Sequence, residues 1–244
     1  MELTGKKILI TGGGSGIGLE FARVLNNSSN KVIICGRDLN KLKNTQKEFP
    51  QIEYFQCDVT NDEDQKALVE FIRTQHSDLS ILINNAGIQK NYSFTQLDSH
   101  IDLIEEEMNT NVTSQMKLID RMLPVLLQQG EAAIVNVTSL LAGIPKQSAP
   151  VYCASKAAFR MFTQALRYQL EDSPVKVFEV VPPLVDTDMT KGRGRGKMST
   201  AELVAEALDG IGKNEPEILA GISKKLFFMK RFFPKRIYAK VRNG

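Results

Sequence analysis

The stretch Thr11-Gly-Gly-Gly-Ser-Gly-Ile-Gly18 places five of the chain's 17 glycines within eight residues, directly after the apolar run Lys7-Ile-Leu-Ile10. Two familiar phosphate-binding patterns fail on it. Gly13 and Gly18 have the Walker spacing, but Leu19-Glu20 stand where Lys and Ser/Thr would reach phosphate and magnesium. Gly12 and Gly14 begin G-x-G-x-x-G, but Ile17 occupies the place of the last glycine. What remains is a strand, a glycine-rich turn and a helix start. That arrangement offers free backbone N–H groups and the positive end of a helix dipole to a pyrophosphate. Alone, the stretch could equally be a flexible loop, so its meaning depends on the rest of the chain.

Outward from this loop, short β-branched runs alternate with longer helical patterns, as in repeated βαβ units around a parallel sheet. Strands are expected at residues 7–11, 31–35, 53–57, 79–84, 133–138, 175–181 and 217–220. Helices are expected at 17–26, 39–49, 63–75, about 100–128, 152–170 and 201–211. The implied fold is α/β, a doubly wound seven-stranded parallel sheet of Rossmann type with helices on both faces. No repeat or compositional break divides residues 1–244, so a single domain is expected. The low-complexity run Lys191-Gly-Arg-Gly-Arg-Gly-Lys197 lies in a segment, 186–198, expected to be a mobile substrate loop. It follows the sixth strand, on the edge where open α/β sheets bind ligands.

Composition narrows the function classes. A formal net charge of +3 over 244 residues is too small to make nucleic acid or a membrane the main partner. Cys35, Cys57 and Cys153 are odd in number and widely spaced, which argues against a disulfide framework and a zinc site, and His76 and His100 add no metal pattern. No apolar run is long enough for a signal-peptide core or a bilayer span, so a cytoplasmic location is expected.

Tyr152-Cys-Ala-Ser-Lys156 places a phenol and an ammonium four residues apart, on one face of a helix. A free tyrosine titrates near ~10, and a neighbouring cation favours its phenolate. Ser139 ends the fifth strand, where a hydroxyl can point into the ligand crevice, and Asn111 lies within the long fourth helix. Each has an ordinary explanation: Tyr152 and Lys156 as surface neighbours, Ser139 as a strand-end cap, Asn111 as a solvated amide.

Taken together and in order, these features resemble the short-chain dehydrogenase/reductase family over essentially the whole chain. The matching residues are Thr11 to Gly18, Asp58 after the third strand, Asn84-Asn-Ala-Gly87 after the fourth, then Asn111, Ser139, Tyr152-x-x-x-Lys156, Pro182 and Thr187. More narrowly, Asn84-Asn-Ala-Gly-Ile-Gln89 and Pro182-Pro-Leu-Val-Asp-Thr187 resemble the branch encoded with bacterial teichoic-acid D-alanylation genes. The resemblance implies hydride exchange between NAD(P) and a carbonyl or alcohol. It makes Tyr152 the acid/base, with Lys156 lowering its pKa and bonding the nicotinamide ribose. Ser139 orients the substrate oxygen, and Asn111 holds a water in a proton relay. Implied cofactor contacts are Gly12, Ser15, Gly16, Ile17, Gly18, Arg37, Asp58, Val59, Asn85, Ala86, Gly87, Tyr152, Lys156, Pro182, Val185 and Thr187. It further implies a small-molecule substrate and a homodimer or homotetramer.

At the end of the second strand, Gly36 occupies the position where NAD users of the family carry their acid, and Arg37 matches the arginine of NADP users. NADP(H) is therefore favoured, with NAD(H) the alternative. Asp38 lies at the distance expected for a ribose-binding acid, but is preferred as the cap of the next helix. Pro183 replaces the family's usual glycine and removes a backbone donor. The basic and apolar segment 222–244 has eight Lys or Arg up to Arg242. Docking on the pocket or at a subunit interface is preferred there to contact with an anionic membrane, and Pro234 interrupts any single helix. A different class of function, a catalytically idle dinucleotide-binding scaffold, would have no reason to retain Ser139, Tyr152 and Lys156 together. A nucleotide-sugar epimerase would need room for a separate substrate domain.

Overall fold

In the computed structural model, which describes residues 1–27, 29–95 and 99–243, side-chain alternation decides how each strand sits. Gly244, the last residue of the expected C-terminal segment, lies outside them. In β1 (Lys7–Thr11), Ile8 and Ile10 turn to one face and Leu9 to the other, and all three are fully buried. A strand buried on both faces needs a layer of helices on each side, which is the situation of a parallel sheet. The sheet comprises β1, β2 (Lys31–Gly36), β3 (Glu53–Gln56), β4 (Ile81–Asn84), β5 (Ala132–Val137), β6 (Val175–Val181) and β7 (Glu217–Leu219). Its order is β3-β2-β1-β4-β5-β6-β7, and every neighbouring pair is parallel. The order reverses between β1 and β4, which opens a crevice at their carboxyl ends.

One face is covered by α1 (Gly16–Asn26), α2 (Leu39–Glu48) and α7 (Thr200–Gly212), through Phe21, Leu25, Leu42, Leu203 and Ile211. The opposite face is covered by α3 (Asp62–Gln75), α5 (Ser114–Leu126) and α6 (Pro150–Gln169), through Leu68, Ile72, Leu118, Met122 and Phe159. Burying each such side chain is worth roughly 1.5–3 kcal/mol. Pro150 opens α6, where its missing N–H costs nothing, and so sets the helix two residues before Tyr152.

The structure corrects the expected helix at 100–128. It is broken into α4 (Ile101–Met108), a π-helical turn at Asn109–Thr113, and α5. The turn follows from Asn111, whose buried amide bonds the backbone of Ile88 in both directions. A π turn adds a residue to the helical repeat and aims the side chain inward.

The C-terminal segment forms α8 (Ile222–Phe232) and α9 (Pro234–Arg242), broken at Pro234 as expected. Leu226 and Ile237 join Leu140 and Ile144 in a small separate core. Lys230 Nζ donates to the Gly143 carbonyl at 2.7 Å, and the Gln147 N–H donates to the Arg242 carbonyl at 3.0 Å. The inner face of this segment is therefore docked, while Phe228, Phe232 and Phe233 remain exposed. Among the described residues, no helix is long and apolar enough to cross a membrane.

Candidate active site

The crevice begins with the glycine turn. Gly12 has φ +66°, the left-handed region that favours glycine, and its N–H donates to Cys35 O at 2.8 Å. Thr11 Oγ1 accepts from the N–H groups of Asn85 and Ala86, both at 3.0 Å, and Asn85 Nδ2 donates to Thr11 O at 3.0 Å. These bonds fasten the end of β4 to the end of β1. Gly18 packs directly against this turn. A Cβ there would lie 2.4 Å from Gly12 O and 2.5 Å from Asn85 Nδ2, so Gly18 lets α1 approach the turn and does not line the cavity.

A dinucleotide fits this end on the molecule's own chemistry. The first N–H groups of a helix lack internal partners. In α2 they are satisfied by Asp38, which accepts from Asn40 and Lys41, and in α3 by Asn61. In α1 the cap residue Ser15 makes no such bond, which leaves the helix start open toward the crevice. Gly12, Ser15, Gly16, Ile17, Asn85, Ala86, Gly87, Pro182, Val185 and Thr187 line a cavity of about 400 Å³ together with Ser139, Tyr152 and Lys156. A second cavity, of about 310 Å³, shares Gly12, Ser15, Ala86 and Gly87 with the first and continues to Arg37, Asp58 and Val59. Asp38 is engaged as the helix cap, as preferred from the sequence. Lys41 joins Arg37 at this end, which sequence reasoning missed.

Ser139, Tyr152 and Lys156 meet where the first cavity passes the end of β5. Ser139 accepts from the Leu141 N–H at 3.1 Å, and its hydroxyl is near enough to the Tyr152 phenol to favour the phenolate. Lys156 is buried, its Nζ donates to Val137 O at 2.9 Å, and it lies 5.9 Å from the centre of the Tyr152 ring. Burial pushes the Tyr152 phenol up to about 12, against the opposing pull of the Ser139 hydroxyl and, further down, the Arg193 charge. The same desolvation pushes Lys156 down to about 8. Lys156 is not among the groups that shift the phenol, because its ammonium is turned toward a backbone carbonyl.

Asn111 is fully buried, and its Nδ2 donates to Ile88 O at 2.9 Å and to Ser155 Oγ at 3.0 Å. Its Oδ1 accepts from the Ile88 N–H at 2.8 Å, and Ser155 Oγ donates to Tyr152 O at 2.9 Å. Both amide hydrogens are thus used, so only Oδ1 retains capacity for a further partner. Glu107, one turn earlier, is also buried, and accepts from the Lys90 N–H at 2.9 Å. Two side chains a helical turn apart thus hold two residues of the extended segment after β4. Among the described residues, no three His, Cys, Asp or Glu side chains gather to hold a metal.

The short chain dehydrogenase family model matches residues 6–197. An uncharacterized oxidoreductase of Bacillus subtilis, DltE, is 40% identical over 225 residues, covering 89% of each chain. A short chain dehydrogenase from Burkholderia cenocepacia in complex with NADP superposes with a TM-score of 0.88 at 23% identity, over 100% of both chains. One from Burkholderia phymatum in complex with NAD gives 0.86 at 22% identity, over 100% of this chain and 97% of the other. The last two share the fold, and the sequence match carries the kinship: this chain belongs to the short-chain dehydrogenase family of oxidoreductases.

Proposed function

We propose that the protein transfers hydride between NADP(H) and a carbonyl or secondary alcohol, with Tyr152 as acid/base. The observation that carries this reading is the meeting of Ser139, Tyr152 and Lys156 on a cavity that also contains the glycine turn and the open start of α1. The nicotinamide supplies or accepts the hydride. The chain's own residues manage the oxygen and its proton. A phenol pushed up to about 12 is protonated at neutral pH, the form that donates to a carbonyl oxygen. Ser139 offers a hydroxyl to the same oxygen and stabilises the charge that develops there. In this reading Lys156, four residues along α6, bonds the nicotinamide ribose, and the backbone of the glycine turn receives the pyrophosphate. Oδ1 of Asn111 is the acceptor left for a relay water.

Arg37 and Lys41 at the far end of the second cavity support preference for the 2′-phosphate, with Asp38 already committed to capping α2. A homodimer or homotetramer is expected, and light scattering would measure it. The test of the main reading is a carbonyl and alcohol panel followed by cofactor absorbance with NADPH and NADH, on wild type and Tyr152→Phe. The variant should lose roughly 10²–10⁴-fold in kcat while binding NADPH normally. Near-normal turnover by Tyr152→Phe would overturn the assignment, and higher efficiency with NADH would overturn the NADP preference.

A further inference from the structure

The cavity beside Tyr152 carries more positive charge than the reaction itself requires. Besides Lys156, its walls include Lys146, Arg193, Arg195 and Lys240, against one acidic wall residue, Asp188. Among the described residues these four cations make no ion pair, whereas nearby Lys197 pairs with Asp186 at 3.0 Å and Lys41 approaches Asp188 at 3.9 Å. The same cavity is walled by Leu141, Leu184, Met189 and Val241, which bind no charge. An apolar chamber with unpaired cations suits a ligand with both characters.

Arg193 is the cation least explained by solvation. Its guanidinium Nη1 is buried and has no hydrogen-bond partner among the described residues. The group is also near enough to the Tyr152 phenol to act on its charge. Its backbone is held, because the Arg193 N–H donates to Thr190 O at 3.0 Å and Thr190 Oγ1 donates to Val185 O at 2.5 Å. The base of the loop is closed by paired bonds, Asp186 N–H to Met198 O and Met198 N–H to Leu184 O, both at 2.9 Å. A buried donor without an acceptor is destabilising, the more so when it is charged. Such a group, held at a reacting centre, is satisfied when a ligand supplies the acceptor. Lys146 and Lys240 reach the same cavity because α9 is stapled to the segment before α6: Arg242 Nε donates to Gln147 Oε1 at 2.9 Å, beside the backbone bond between the same residues.

We propose that the cavity takes a carbonyl or alcohol compound with an apolar body and an oxyanion group, a carboxylate or a phosphate, and that Arg193 receives the oxyanion. The planar fork of arginine can hold either group by two parallel hydrogen bonds. Lys146, Arg195 and Lys240 add a field that attracts such a compound to the opening. The assignment rests on Tyr152 marking the reacting oxygen, so its test is made on binding and not on turnover.

Octanoate, octyl phosphate and 1-octanol are titrated calorimetrically into the full-length protein, wild type and Arg193→Gln, with NADPH titrated in parallel and thermal melts confirming that both are folded. At least one anion should bind about tenfold or more tighter than the alcohol. Arg193→Gln should remove that difference while leaving the affinities for octanol and NADPH unchanged. The two anionic arms decide between carboxylate and phosphate. Equal affinity for alcohol and anions, no binding of any probe, or anion binding that survives Arg193→Gln overturns the proposal. A fall in NADPH affinity in a folded variant also overturns it, because the guanidinium then serves the cofactor. Absence of hydride transfer would count against the reaction proposed above and leave these binding results to stand or fall separately.

Discussion

At one end of the cleft, Gly12 and Gly18 are shaped by the turn they belong to and by Asn85 and Ala86 at the end of β4, the strand paired with β1. At the other, Lys146, Arg193 and Lys240 come from three distant segments, assembled by the loop closure at Val185–Met198 and by the docking of α9. The first end is close-packed backbone and tolerates no added atom. The second is made of side chains on an apolar wall, and its chemistry can change without disturbing the sheet. The difference teaches that cofactor shape is a property of the fold here, while substrate choice is a property of what is laid over it.

The largest expected effect tests whether charge at the dinucleotide end is confined to one corner. Arg37→Ala should weaken NADPH binding about ten- to a hundredfold and leave NADH unchanged, read by fluorescence titration of the reduced cofactors. An equal loss for both would remove Arg37 from the 2′-phosphate. Next, the intolerance of the turn is tested by Gly18→Ala. Its Cβ would meet a backbone oxygen at 2.4 Å, so unfolding free energy should fall by roughly 1–3 kcal/mol. Gly130→Ala, with nothing within 4 Å, should change stability by no more than about 0.5 kcal/mol, and equal melts for the two variants would break the contrast.

Lys156→Met sharpens the comparison at the junction of the two ends. Burial lowers the folded pKa from 10.5 to about 8, so below about pH 8 the fold carries an ammonium that the unfolded chain would rather hold. Wild-type stability therefore rises with pH between about 8 and 10.5, where the unfolded state binds more protons. The variant should be inactive yet more stable at neutral pH by about 1–2 kcal/mol, with the gain fading as pH rises through that window. A variant less stable at pH 7 in denaturant titrations would contradict this. The smallest effect is Arg242→Ala, which loses the bond to Gln147 at 2.9 Å. Stability should fall by about 0.5–1.5 kcal/mol, with cofactor affinity untouched because α9 docks only at the substrate end.

The strand pattern was legible because a parallel strand buried on both faces reads as a short continuous apolar, β-branched run, and Tyr152 and Lys156 were legible as a pair because one helical turn joins them. The break in the helix at Asn109–Thr113 was not. Its cause is a set of bonds between Asn111 and Ile88, two positions that the sequence separates by the whole entry into α4. The packing of Gly18 against Gly12 and Asn85 was not legible either, because the turn's spacing does not reveal which glycines face outward. Lys41 was missed because a lysine on a short helix looks solvated until Arg37 is seen on the same cavity. The orphaned nitrogen of Arg193 had no sequence signal, since a Gly/Arg run gives no indication of which arginine turns inward.

By itself the sequence determined the parallel α/β sheet, the place of the crevice, the order of the family's motifs and the pairing of Tyr152 with Lys156 on one helix. These depend on spacing within one strand, turn or helix, and local geometry converts spacing into position directly. Only the tertiary structure decided that Tyr152 titrates high and Lys156 low, that both hydrogens of the Asn111 amide are used, and that cations from distant segments share one apolar chamber. Those properties depend on which groups exclude water from which others, and that is settled only when segments far apart in the chain are packed together.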